Sequence, residues 1–106
     1  EPANAEAKAA RDNARFLARI SAAMADGEAD PIARADAAPG DVDLALTAAD
    51  AEIAAGKVEQ AFDRLLAVIM KDKERVRTRM VELFALFDAG DPRVADARAR
   101  MANALF

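Results

Sequence analysis

Larger apolar side chains recur every three or four residues along this chain, and glycine and proline cut the recurrence into short lengths. This pairing constrains the fold more than any other feature. Steps of three and four place side chains on one stripe of an α-helix, while glycine and proline end helices or open them. Gly27, Gly40, Gly56 and Gly90 act as punctuation, and Pro31, Pro39 and Pro92 lie close to three of them. The period-2 alternation that marks strands is missing, and the chain has no Trp and no Tyr. The expected fold class is all-α, with about five helices in antiparallel hairpins.

The first segment runs from about Asn4 to Ala25, with Phe16, Leu17, Ile20 and Met24 as its apolar stripe and Asp26-Gly27 closing it. Its early part, Ala5 to Ala14, has only alanines to bury. Asp30-Pro31 has the form of a cap followed by proline at the first helical position, opening a short helix to Ala38. After the turn Pro39-Gly40-Asp41, a helix from Val42 to Ala55 carries Leu44, Leu46 and Ile53. Gly56 ends it, and Val58 to Lys71 follows with Val58, Phe62, Leu65, Leu66 and Ile69 on one face. So short a gap predicts an antiparallel hairpin. Val76, Met80, Leu83, Phe84 and Phe87 then mark a helix over Lys73 to Phe87. Asp91-Pro92 repeats the cap-and-proline signal before a last helix to about Leu105, with Val94, Met101 and Leu105 facing one way.

Length and composition bound what such a bundle can do. A chain of 106 residues fits one domain, but 30 of its residues are Ala, so the larger apolar side chains must build the core. Without Cys there are no disulfides, thiolate metal sites or cysteine catalysis. Without His, the commonest general base and the commonest metal ligand are gone. No enzyme activity, cofactor or metal is therefore expected. The net charge of −4 is unevenly spread, with two basic and six acidic groups over 41–70 against eight basic and six acidic over 71–106. No apolar run approaches the ~20 residues of a membrane span, so a soluble, cytoplasmic location is expected. A start at Glu1 rather than Met suggests a piece of a longer polypeptide.

A hairpin of this size invites a search for the helical repeat of about 34 residues. Counting from Val42 as position one, Ala49 falls at eight, Gly56 at fifteen, Ala61 at twenty, Leu65 at twenty-four and Val68 at twenty-seven, which resembles the tetratricopeptide pattern. Each has a physical task. Ala49 and Ala61 let two helices approach, Gly56 supplies a positive φ, and Leu65 and Val68 pack on the neighbouring hairpin. Ala45, Ala48 and Glu52 stand where the repeat has larger apolar side chains, and Lys73 replaces its late proline. A generic helical hairpin accounts for the same residues, so this match alone leaves both readings open.

The run Gln60-Ala61-Phe62-Asp63-Arg64-Leu65-Leu66-Ala67-Val68-Ile69 is followed by Val81-Glu82-Leu83-Phe84, Gly90-Asp91-Pro92-Arg93-Val94 and Ala104-Leu105-Phe106. Together these segments resemble the C-terminal part of bacterial thioredoxin-fold co-chaperones, the chaperedoxins or YbbN-like proteins. The resemblance covers residues 41–106 well and the first forty loosely. It implies a tetratricopeptide-like domain over 41–106, with 1–40 as an N-terminal helix, short helix and linker packed on it. It also implies a module that binds unfolding client proteins, chaperonin or Hsp70. The redox domain of that family, with its Cys-containing motif, is absent from this chain. The alternative is a helical scaffold or oligomerisation domain with one folded partner.

Three constellations compete for other roles. Lys71, Lys73, Arg75, Arg77 and Arg79 form the one basic run, but steps of two disperse them around a helix, and Asp72, Glu74 and Glu82 interleave. A solvated face with local ion pairs is expected, and no nucleic-acid partner. The pairs Glu28 with Asp30 and Asp41 with Asp43 read as capping and turn chemistry rather than catalysis or metal binding. Met24, Met70, Met80 and Met101 are expected to fill core rather than form an adaptable client surface. The last helix is the exception, with Met101, Leu105 and Phe106 at a free end and no later helix to cover them. The resemblance points the same way, so Arg98, Met101, Leu105 and Phe106 are the expected partner contacts.

Overall fold

The computed structural model describes residues 2–25 and 30–106, and these residues form six helices and no strands. They are α1 (Pro2–Ala25), α2 (Pro31–Ala37), α3 (Val42–Ala54), α4 (Val58–Val68), α5 (Lys73–Phe84) and α6 (Pro92–Leu105). The short stretch after Asp30, expected as a helix from its cap-and-proline signal, is α2. Its Ala35 is buried and it packs on α3. The expected stop at Asp26-Gly27, and the pairing of Glu28 with Asp30, lie outside the described residues.

Aspartate opens four of these helices. The side chains of Asp30, Asp41, Asp72 and Asp91 accept from the backbone N–H of Ile32 (3.0 Å), Leu44 (3.0 Å), Arg75 (3.3 Å) and Arg93 (2.9 Å). Each satisfies a donor that the first turn cannot. Asp72 thereby fixes the boundary between α4 and α5. The helix ends come earlier than expected, at Val68 and Phe84. There Lys71 N–H reaches Val68 O (3.0 Å), and Leu86 and Phe87 N–H reach Leu83 and Phe84 O (3.1 and 3.2 Å). Such i to i−3 bonds tighten the chain out of the α geometry while keeping its carbonyls satisfied.

Hairpins α3/α4 and α5/α6 stack so that α4 packs on α6 and α5, and α3 packs on α5. Ala49 and Ala61 are fully buried at the α3/α4 crossing, and Gly56 takes φ +81° in the turn, as the repeat pattern requires. Between the hairpins lie Phe62, Leu65, Val68, Ile69, Val76, Met80, Leu83 and Phe84. The Phe62 ring stands 5.2 Å from Phe84 and 6.3 Å from Phe87, centroid to centroid, in tilted and edge-on geometry.

Helix α1 packs across both α3 and α5. Phe16 joins the buried cluster and Ile20 lies against it. Leu17, expected in the same stripe, is instead 55% exposed. Adjacent residues point about 100° apart on a helix, so a single stripe takes Phe16 and Ile20 and turns Leu17 away. The side chain of Met24 lies outside the described residues. Among the other methionines, Met80 and Met101 are core, whereas Met70 is exposed in the turn after α4.

Candidate partner-binding face

The first helices of the two hairpins, α3 and α5, lie side by side and present one face to α1. At its centre is Asp50, a carboxylate only 3% exposed. It is one helical turn from Leu46 and beside Ala49, so the stripe that buries those two residues buries it as well. A buried charge must be paired. Arg79 from α5 donates to Asp50 Oδ2 at 2.7 Å and to the Leu46 carbonyl at 3.3 Å. Arg19 from α1 donates through Nε to Oδ2 at 2.8 Å and through Nη2 to Oδ1 at 3.2 Å. The remaining Nη1 of Arg19 reaches Glu82 Oε2 at 2.8 Å, so one guanidinium clamps two carboxylates.

Burial pushes the Asp50 carboxyl above its ordinary value, while the hydrogen bond from Arg19 and the positive charges of Arg79 and Arg19 pull it back. Burial likewise lowers Arg79. Around this cluster opens a cleft lined by Arg15, Ala18 and Arg19 on one side and Leu46, Thr78 and Glu82 on the other. Its lining sets charged groups of α1 and α5 beside the apolar side chain of Leu46. Among the described residues no buried side-chain nitrogen or oxygen lacks a hydrogen-bond partner, and no three acidic groups are placed to hold a metal ion.

The basic run divides. Arg75 pairs with Asp43, and Lys71 donates to the Gly40 carbonyl at 3.0 Å, as a solvated face with local pairs would have it. Arg79 departs from that expectation, because α5 turns it inward to Asp50. Sequence reasoning missed the cluster, although Asp50 stood as a lone acid among residues of an apolar face. Glu52 carried the same signal. It fills a larger apolar side chain's place in the repeat because Arg64 of α4 pairs with it inside the hairpin, at 2.8 and 3.2 Å.

The expected terminal contacts are dispersed. Met101 is buried and belongs to the core, which corrects its expected exposure: α6 lays Val94, Ala97 and Met101 on the inner stripe. Leu105 is half-buried against that core. Arg98 lies on the surface with its guanidinium 5.3 Å from the Phe84 ring centroid, and Phe106 is fully exposed. Phe106 is thus the apolar side chain that this end offers freely.

Two stacked helical hairpins with alanine crossings and a positive-φ glycine turn define a helical-repeat domain of the protein-interaction class. The tetratricopeptide-repeat family model matches residues 21–106, and the chain belongs to that family, whose fold is a non-catalytic one that mediates protein–protein interaction. Uncharacterized proteins of Mycobacterium bovis and of two strains of Mycobacterium tuberculosis are 40% identical over 109 aligned positions, covering 99% of this chain and 34% of each relative. The chain thus spans about a third of the length of the curated relatives it matches. No solved structure gives a significant match. No helix among the described residues is long and apolar enough to cross a membrane.

Proposed function

We propose that this chain is the protein-binding module of a cytoplasmic co-chaperone, holding unfolding client polypeptides and meeting chaperonin or Hsp70. The observation that carries the reading is the α3/α5 face, where Arg19, Arg79 and Glu82 line a cleft above the buried carboxylate of Asp50 in a protein-interaction fold. The resemblance of residues 41–106 to the helical part of thioredoxin-fold co-chaperones supports the choice of partner. In the same reading, residues 41–106 are the repeat domain, 1–40 packs on it, and Arg98 and Phe106 contribute a second contact at the end of α6.

The test is suppression of aggregation of a thermally unfolding protein, together with binding of purified chaperonin measured by surface plasmon resonance. The domain is expected to suppress aggregation and to bind chaperonin, and Phe106→Ala to weaken the second without altering the fold. Absence of both effects in the unaltered chain, alongside self-association in ultracentrifugation, would replace this reading with that of an oligomerisation domain.

A further inference from the structure

Helix α1 sits on the α3/α5 face as a foreign helix would. Of its side chains described, only Asp12 and Phe16 are buried and only Arg19 and Ile20 are half-buried. Phe16 and Arg19 act as one unit, with the guanidinium 6.0 Å from the ring centroid. The ring enters the apolar cluster that contains Leu46, Ala49 and Met80, and the guanidinium bridges Asp50 and Glu82. By contrast α3, α4, α5 and α6 bury stripes of larger side chains against one another, and Phe16 is the one buried side chain described that α1 adds to that cluster.

The acidic centre tolerates the departure of α1. Arg79 also donates to Asp50, at 2.7 Å, so departure of Arg19 would not leave this buried carboxylate without a cation. Glu82 lies at the cleft edge and can take water in place of Arg19.

We propose that α1 is a displaceable occupant of the binding face, and that the partner it competes with is an amphipathic helix carrying an aromatic residue and, three positions later, an arginine. The aromatic ring fills the place of Phe16 and the arginine bridges Asp50 and Glu82. This rests on the reading of the α3/α5 face as a protein-binding surface, and it adds that the face is self-occluded and selects a guanidinium. Arginine is favoured over lysine because two carboxylates are engaged at once, which a planar fork does and a single ammonium does poorly.

The test uses the full chain and a synthetic peptide copying residues 8–22. Unlabelled peptide is added to the unaltered protein, and hydrogen exchange is read segment by segment. Exchange in α1 is expected to rise with peptide while α3 to α6 stay protected. A fluorescent version of the peptide is expected to bind the Arg19→Ala protein about tenfold more tightly than the unaltered one, as release of a charge-assisted contact allows. The same peptide carrying Arg19→Ala is expected to bind at least tenfold more weakly. Unchanged α1 exchange, or equal binding of the two peptides, overturns the proposal. Aggregation suppression by the same samples separates the causes: if it persists, the face reading stands and only the occlusion fails, and if it is absent, both fail.

Discussion

Arg64 on α4 donates two hydrogen bonds to Glu52 on α3 and a third, at 2.8 Å, to Asp36 on α2, tying three helices through one guanidinium. The hydrogen bonds from Arg64 to Glu52 raise the Arg64 pKa above its ordinary value and outweigh the cost of burial. Glu52 is only 3% exposed, so losing its partner leaves a charge inside the hairpin. Arg64→Ala is expected to cost about 3 to 5 kcal/mol in urea denaturation, the range for one-sided removal of a buried pair. Replacing both Glu52 and Arg64 with Met is expected to cost less than Arg64→Ala alone. Asp36→Ala, on the exposed side, is expected to cost under about 1 kcal/mol.

Phe62 and Phe84 meet at the centre of the two-hairpin stack. Truncating either to Ala should cost about 3 to 5 kcal/mol, from lost burial plus the cavity left behind. Leu17→Ala on α1 should stay within about 0.5 kcal/mol, as exposed positions do. Equal destabilisation by Leu17→Ala and Phe62→Ala in chemical denaturation would contradict this core.

Gly56 and Gly90 offer a matched pair, since an added Cβ meets nothing within 4 Å at either. Only Gly56 has a positive φ, +81°. Gly56→Ala is therefore expected to cost about 1 to 2 kcal/mol, whereas Gly90→Ala is expected to be neutral or to stabilise by up to about 1 kcal/mol through the unfolded state. Thermal unfolding midpoints of the two variants check the sign of each.

The side-chain hydrogen bonds from Arg93, and then its backbone N–H, hold the Asp91 carboxyl down to about 2 from an ordinary 3.8. A carboxylate lowered on folding adds stability above its unfolded pKa and loses it as pH falls through the folded one. The start of α6 should therefore weaken as pH falls from 3.8 towards about 2. Carbon-detected NMR titration of Asp91 should place its midpoint near the lower value, and Asp91→Asn should flatten the acid dependence over that window.

Met101→Ala should destabilise by about 2 to 4 kcal/mol, because Met101 is buried against the core. Phe106→Ala should leave denaturation unchanged, because its ring touches only solvent. The two substitutions thus separate the structural and surface roles of the α6 end.

The helices and most of the core were legible because their signals are local. Cap-and-proline pairs at Asp30 and Asp91, Gly56, and the steps linking Phe62, Leu65 and Ile69 each act over a few residues. The candidate face was not legible, since its parts come from three helices. Arg19, Asp50 and Glu82 are 31 and 32 residues apart along the chain, and periodicity says nothing about which distant stripe meets which. Arg79 shows the limit in miniature. Its charge and spacing placed it with the solvated basic residues, and only the position of Asp50 across the helix pair turned it inward.

The bonds from Arg19 to Asp50 and Glu82 span 31 and 63 residues. During synthesis α1 leaves the ribosome before either carboxylate exists, and its docking surface is incomplete until α5 has formed. The α3/α4 hairpin, closed by a turn of three residues, has a far smaller loop-closure entropy to overcome and can nucleate alone. The earliest part of the chain is then the last to settle. Phe16→Ala should accelerate unfolding and leave the refolding rate unchanged, a φ-value near zero in stopped-flow kinetics.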